Sequence, residues 1–214
     1  MDTRHGKRQN IEFPGLDISE HIYPLCPTEL FANRNKTAFE IGFGEGDFLI
    51  EMAKSNPDIN YIGVEVKWKR VRKALKRARI TGVKNIRLIN MDANIAIEET
   101  FSPCSLNQVY INFPDPWPKE RHRKHRIINP CFLNSLSSLL KPEGTMEITS
   151  DHEEYISHIL EAVYKSNKFV NLNPEPGYKT RLLKRPQTRY EREFREQGKE
   201  IFYLSYMKIN PEVK

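Results

Sequence analysis

Cysteine is scarce and badly placed for bonding in this chain of 214 residues: Cys26, Cys104 and Cys131 are odd in number and include no C-x-x-C pair, which argues against a disulfide framework and a zinc knuckle alike. The six histidines, His5, His21, His122, His125, His152 and His158, show no ligand spacing with cysteine or carboxylate, so no metal is expected. No run reaches the roughly 18 consecutive apolar residues of a membrane-spanning helix. The opening Met1-Asp2-Thr3-Arg4-His5-Gly6-Lys7 also lacks the apolar stretch of a secretory signal. A soluble, cytoplasmic protein with reduced cysteines is the expectation. Internal repeats and low-complexity tracts are absent as well.

Positive charge, in contrast, is in excess. Lys and Arg number 34 against 28 Asp and Glu, a formal net charge of +6, and the cations cluster at 4–8, 67–79, 119–126 and 179–195 while the acids are spread more evenly. Clustering of this kind suits a polyanionic partner. The length fits one large α/β domain with a substantial core. Residues 1–35 are polar, basic and interrupted by Pro14, Pro24 and Pro27. They read as a basic N-terminal arm whose Arg4, His5, Lys7 and Arg8 either reach phosphate or form a plain charged terminus. Residues 36–214 read as a single domain.

Within that domain strand and helix signals alternate. Strands are predicted at 38–41, 61–64, 86–89, 108–111 and 146–149, and helices at 47–54, 67–80, 93–99, 129–140 and 153–167. Repeated βα units on short loops predict an α/β fold, a mostly parallel doubly wound sheet covered on both faces, with ligands bound at the carboxyl ends of the strands. Beyond 167 the simple alternation stops. There 169–172 reads as an edge strand and 201–207 as a strand paired antiparallel at the edge. In the second helix Trp68, Val71, Leu75 and Ala78 form an apolar stripe, and the many Lys and Arg around it are a solvated face or an electrostatic guide.

The stretch with most chemistry in it is Asn112-Phe113-Pro114-Asp115-Pro116-Trp117-Pro118-Lys119. Three prolines in five positions forbid helix and central strand, so the chain leaves the apolar Val109-Tyr110-Ile111 as a stiff loop. That loop carries one carboxylate, one indole and then the cations Arg121, Arg123, Lys124 and Arg126. The combination suits a flat polar group attached to phosphate, such as a nucleic-acid base. Ordinary turn chemistry followed by a solvated basic run is the plainer reading, and Trp117 either stacks on a base or anchors the loop. Upstream, Glu40-Ile41-Gly42-Phe43-Gly44-Glu45-Gly46 joins the first strand to the first helix, where glycines allow a tight turn and a close ligand approach and the helix start offers free N–H groups. Asp47 stands where a dinucleotide site needs its third glycine. Glu65 closes the second strand, where an acid takes ribose hydroxyls. Asp92 follows the third, where an acid accepts from an adenine amino group or merely caps a helix. Acids at successive strand ends beside a glycine loop describe a nucleotide-type cofactor site.

Together these motifs resemble the class I S-adenosylmethionine-dependent methyltransferases, which implies a Rossmann-like fold. More narrowly, the 112–119 loop, the 121–126 tail and Thr188-Arg189-Tyr190-Glu191 resemble the bacterial single-chain tRNA (guanine-N7-)-methyltransferases, in order from about 39 to 194. The resemblance implies transfer of a methyl group from S-adenosyl-L-methionine to N7 of a guanosine in the variable loop of tRNA. It implies that Glu40, Gly42, Gly44, Gly46, Glu65, Asp92 and Asp115 hold the cofactor and that Asp115 is also the catalytic position. It further implies that Lys119, Arg121, Arg123, Lys124, Arg126, Asp151, Thr188, Arg189, Tyr190 and Glu191 meet the RNA, and that the protein acts as a monomer or homodimer. Read without it, Asp151 is a helix N-cap, Thr188 and Glu191 form a capping box, and Tyr190 with Phe194 buries one helical face. His125 departs from the family pattern, in which basic residues are usual at that point. Two other readings stay open: a methyltransferase of another RNA or of a planar amine, and a non-catalytic RNA-binding module, against which Asp115, Glu40 and the glycine loop argue.

Overall fold

The computed structural model describes residues 15–19, 21, 23–181 and 185–209. Arg4, His5, Lys7 and Arg8 lie outside the described residues. Ile18 and Leu25, just upstream of the four-residue helix α1 (Pro27–Leu30), are buried in the core, and the Leu25 N–H donates to the Thr100 carbonyl at 2.6 Å.

From there β1 (Lys36–Ile41), α2 (Asp47–Ser55), β2 (Ile59–Val64), α3 (Trp68–Thr81), β3 (Ile86–Ile89), α4 (Ala93–Glu99), β4 (Leu106–Asn112), α5 (Pro130–Leu139), β5 (Leu140–Ser150) and α6 (Glu153–Ser166) follow the alternation read from the sequence. Strand β5 begins well before the predicted 146. Pro142 disfavours continued helix in the residues ahead of it, and Leu140 is already extended at φ −73°, ψ 139°. The tail after the proline loop forms a 3-10 helix, Glu120–His125.

The sheet is mixed but mostly parallel. Its order is β3-β2-β1-β4-β5, continued by β7 (Phe202–Lys208) and β6 (Phe169–Asn171). Strands β1 and β2 are buried along almost their whole length, as parallel strands are when helices cover both faces. Side chains alternate between those faces with the period of two that a pleated strand imposes. Ala38, Tyr61 and Tyr110 join Phe48, Leu49, Val71 and Leu75 on the α2 and α3 side. Phe39, Ile41, Ile62 and Ile111 join Ile97, Leu133, Leu136 and Ile159 on the other. Strand β1 pairs in parallel with both β2 and β4, so the winding reverses between β1 and β4 and a crevice opens at their carboxyl ends.

The antiparallel pairing expected at the edge is present, with one difference of position. Strand β7 runs antiparallel to β5 and to β6, so it sits one place inside and the short β6 forms the edge. Tyr203, Leu204 and Tyr206 of β7 are buried, and a strand that apolar is poorly suited to an open edge. Between β6 and β7 lies α7 (Arg189–Glu196), N-capped by Thr188, whose Oγ1 accepts from the Glu191 N–H at 2.9 Å; the other half of the Thr-x-x-Glu box does not form, because the Glu191 side chain turns to the Tyr203 hydroxyl. Among the described residues no helix is long and apolar enough to cross a membrane.

Candidate active site

The carboxyl ends of β1 to β4 open into one cleft of about 1050 Å³. The glycine loop forms its floor, with Gly42, Gly44 and Gly46 at φ of 74°, 60° and 81°, the left-handed region that glycine enters without strain. A Cβ at Gly42 or Gly44 would meet nothing within 4 Å, so bare backbone faces open space at both positions. A Cβ at Gly46 would lie 2.8 Å from the Ala74 Cβ. Gly46, expected at the cofactor, is thus a packing glycine that lets α2 start against α3, and it is not part of the cleft wall.

Three acids reach this cleft from successive strands. Glu40 on β1 is only 2% exposed; Asn112 Nδ2 donates to its Oε1 at 2.9 Å, and its Oε2 has no hydrogen-bond partner among the described residues. Burial pushes its carboxyl up to about 7, against the opposing pull of Asn112 and Arg185. Glu65 accepts from the Gly44 N–H at 3.1 Å and the Lys67 N–H at 2.8 Å, with Arg70 at 3.6 Å, so it braces the glycine loop while lining the cleft. Asp92 caps α4 through the Asn94 N–H at 2.9 Å and also lines the same cleft.

The proline loop crosses the other side. Phe113, at φ 51°, turns the chain away from β4, and its N–H donates to the Thr149 carbonyl at 2.8 Å. Asp115 is exposed and lines the cleft. Trp117, 36% exposed, packs at 5.7 Å from the His122 ring and 5.4 Å from His125, which makes it a partly open anchor. Arg126 locks the loop from beneath. Its Nε donates to the Pro116 carbonyl at 2.8 Å, its Nη2 donates to Glu154 at 3.0 Å, and the guanidinium lies 5.1 Å from the centre of the Tyr155 ring. With its side chain 1% exposed, Arg126 is a buried latch and not the phosphate contact expected from the basic run.

Helix α7 supplies the facing wall. Arg189 lies 3.7 Å from Glu45, and Arg70 donates to the Tyr190 hydroxyl at 3.0 Å, which ties α7 to the glycine loop and to α3. Tyr190 and Phe194 stack at 6.1 Å, and Phe113 meets them at 6.4 and 5.5 Å. The pair therefore packs as its spacing predicts and also lines the cleft together with Thr188. Asp151 accepts from Lys199 at 2.7 Å, and the same ammonium sits 4.1 Å from the Phe194 ring centre. Glu191 also departs from expectation. Its side chain is buried away from the cleft, hydrogen-bonded to the Tyr203 hydroxyl with Arg195 at 3.5 Å and Arg185 at 3.7 Å.

Of the basic tail, Lys124 and the buried Arg126 border the cleft, whereas Lys119, Arg121 and Arg123 stand outside its wall. Arg123 is held by Glu154 at 2.8 Å. Lys119, Arg121 and Lys124 form no ion pair among the described residues. The cations of α3 divide likewise: Arg70, Lys73 and Arg77 meet Glu65, Glu45 and Asp47 at 3.6, 2.6 and 2.9 Å, and Lys69, Arg72 and Lys76 are exposed. Sequence reading did not single out Asn112, Phe113, Phe194 and Lys199 as parts of the cleft wall, or Arg185 behind it. The first two stand inside the quoted loop motif. Lys199 and Arg185 carry no local pattern that would have found them.

Comparison with known proteins gives the arrangement a context. Residues 34–204 match a protein family described as "Putative methyltransferase". Relatives named tRNA (guanine-N(7)-)-methyltransferase include one from Thermotoga maritima, 38% identical over 87% of this chain and 58% of its own. Another, from Thermus thermophilus, is 35% identical over 88% of this chain and 59% of its own. A third, from Shewanella woodyi, is 38% identical over 92% of this chain and 82% of its own. The chain thus spans less than two thirds of the first two relatives and most of the third. Among solved structures, a SAM dependent methyltransferase from Aquifex aeolicus aligns with TM-score 0.54 at 13% identity, covering 87% of this chain and 91% of that one. An antibiotic related methyltransferase aligns with TM-score 0.60 at 15% identity, covering 89% and 98%. These two carry the fold alone. On sequence shared over most of its length, the chain belongs to the family of the tRNA (guanine-N(7)-)-methyltransferases.

Proposed function

We propose that this protein transfers a methyl group from S-adenosyl-L-methionine to N7 of a guanosine in tRNA, the one in the variable loop, forming 7-methylguanosine. One observation carries the reading: the exposed Asp115 carboxylate and the open glycine floor with Glu40, Glu65 and Asp92 share a single cleft.

The cleft fits the cofactor on three counts. Gly42 and Gly44 leave room for close backbone approach, the Glu40 Oε2 has no hydrogen-bond partner among the described residues and can accept from a donor, and Glu65 and Asp92 stand at the strand ends where ribose hydroxyls and an adenine amino group are met in this architecture. When bound, the cofactor supplies a methyl group on a cationic sulfonium sulfur. Glu40 then receives its ammonium, and Glu65 and Asp92 hold its nucleoside.

Guanine N7 keeps an in-plane lone pair, so no base has to remove a proton first, and placing the ring in line becomes the main task of the protein. Asp115 orients the ring N–H groups and favours the positive charge the purine acquires on methylation. The aromatic wall of Phe113, Tyr190 and Phe194 with Thr188 and Arg189 receives the nucleotide, Asp151 closes its far side, and Lys119, Arg121, Arg123 and Lys124 meet phosphates at the rim. The same reading takes residues 1–35 as a basic arm ahead of one domain, 36–214, in a cytoplasmic enzyme acting as a monomer or homodimer.

The test is transfer of a tritiated methyl group to unmodified tRNA transcripts, with the product nucleoside identified by chromatography. Labelled 7-methylguanosine is expected. A different methylated product, or none, refutes the proposal. An Asp115→Asn protein that binds both ligands and still methylates at the normal rate refutes the role given to that carboxylate.

A further inference from the structure

We infer that Arg185 is a positioning residue: by fixing which way the Asn112 amide faces, it keeps Glu40 ready to receive a cationic donor in the cofactor cleft. This rests on the cofactor half of the proposed function and goes beyond it, because Arg185 itself is not part of the cleft wall.

The guanidinium is buried, its side chain 9% exposed, between the ends of two strands and the start of α7. Its Nη1 donates to Asn112 Oδ1 at 3.2 Å and its Nη2 to Thr149 Oγ1 at 2.7 Å. Rings on two elements hold it flat, Phe48 of α2 at 5.0 Å and Tyr203 of β7 at 5.2 Å. A guanidinium has donors and no acceptor. It therefore accepts only one orientation of its neighbour, with the amide oxygen of Asn112 toward it and the amide NH₂ turned to Glu40, where Nδ2 donates to Oε1 at 2.9 Å. Were the amide free to flip, its oxygen would face a carboxylate oxygen, and Glu40 would avoid that contact only by holding a proton. A protonated Glu40 offers little to an ammonium group.

Charged groups on several elements face the pair. Asp47 on α2 and Glu65 beyond β2 raise the affinity of Glu40 for a proton, and Arg185 lowers it. Arg185 also faces Glu147 on β5 and Glu191 on α7, and the field of this group reaches Tyr110 on β4. One guanidinium thus serves three buried or nearly buried carboxylates, Glu40 by way of an amide whose direction it sets.

The experiment is titration calorimetry of S-adenosyl-L-methionine binding between about pH 6 and 8.5, for the unmodified protein and for R185Q, R185K and T149V. Binding to the unmodified protein should weaken as pH falls through about 7, where Glu40 takes up its proton. In R185Q that midpoint should rise by about one pH unit, weakening binding about fivefold at pH 7 and about tenfold toward pH 6, and letting it recover on the alkaline side. R185K should restore part of the shift, since a lysine keeps the charge but not the fork. T149V removes one anchor of the guanidinium without touching the cleft, and should move the midpoint the same way by less. It decides the matter if R185Q does not fold. Equal weakening at every pH, which a merely structural role would give, or an unmoved midpoint in both R185Q and T149V, overturns the inference while leaving the cofactor reading intact. An unmodified protein that binds no S-adenosyl-L-methionine at any pH overturns both.

Discussion

Replacing Glu40 with glutamine should stabilise the ligand-free protein while weakening its hold on the cofactor. Glu40 is buried on β1, and its carboxyl is raised from 4.5 to about 7. A carboxyl with a raised folded-state pKa binds its proton more tightly folded than unfolded, so stability falls as pH rises from the unfolded value toward the folded one, and the penalty is complete above about 7. At about 1.36 kcal/mol per pH unit, the penalty amounts to roughly 1 kcal/mol near pH 5 and roughly 3 kcal/mol at pH 8. Glutamine carries no charge to desolvate and can still accept from Asn112. An orphaned N–H takes the place of an orphaned oxygen, an exchange close to neutral in hydrogen bonding. Urea unfolding of Glu40→Gln beside the unmodified protein should thus show a gain that grows from about 1 to about 3 kcal/mol between pH 5 and 8. Calorimetry at pH 8 should show S-adenosyl-L-methionine bound at least tenfold more weakly. A gain that does not change with pH, or a less stable variant at pH 8, would refute the argument from burial.

Gly46→Ala should cost about 2 to 3 kcal/mol in the same unfolding assay, because left-handed strain adds to a Cβ contact of 2.8 Å with Ala74. Gly82→Ala is its control: φ is also positive, at 71°, but nothing lies within 4 Å, so a loss of only about 1 kcal/mol is expected. Arg126→Ala should destabilise by about 2 kcal/mol through the lost buried hydrogen bond to Pro116. It should also raise proteolysis within the proline loop, leaving the salt dependence of RNA binding unchanged. Neutralising Lys119, Arg121 and Lys124 together should do the reverse, lowering the slope of log affinity against log salt by about 2 without loss of stability. Unaltered slopes would take those side chains out of the RNA interface.

Much of this protein is written in local pattern. The βα alternation follows from short apolar strands and periodic helices. Gly42 and Gly44 sit in a turn that needs left-handed backbone, and three prolines make the Asp115 loop stiff wherever the chain goes. Such features depend on neighbours a few residues away, so spacing alone reveals them. Local pattern does not say where a charged side chain ends up, because that depends on partners distant in sequence. Arg126 and Arg121 look alike in the basic run, yet one is sealed beneath the loop by Glu154 and Tyr155 and the other is exposed. Glu191 turns inward because Tyr203, Arg185 and Arg195 meet there. Strand β7 sits inside the edge because β6 folds back to cover it. The link from Arg185 through Asn112 to Glu40 joins residues 73 and 72 positions apart, and only the packed sheet brings those donors and acceptors within reach. Sequence determined the fold and the chemistry on offer in the cleft; tertiary structure decided which of the like charges face it, since burial and pairing are properties of the assembled core.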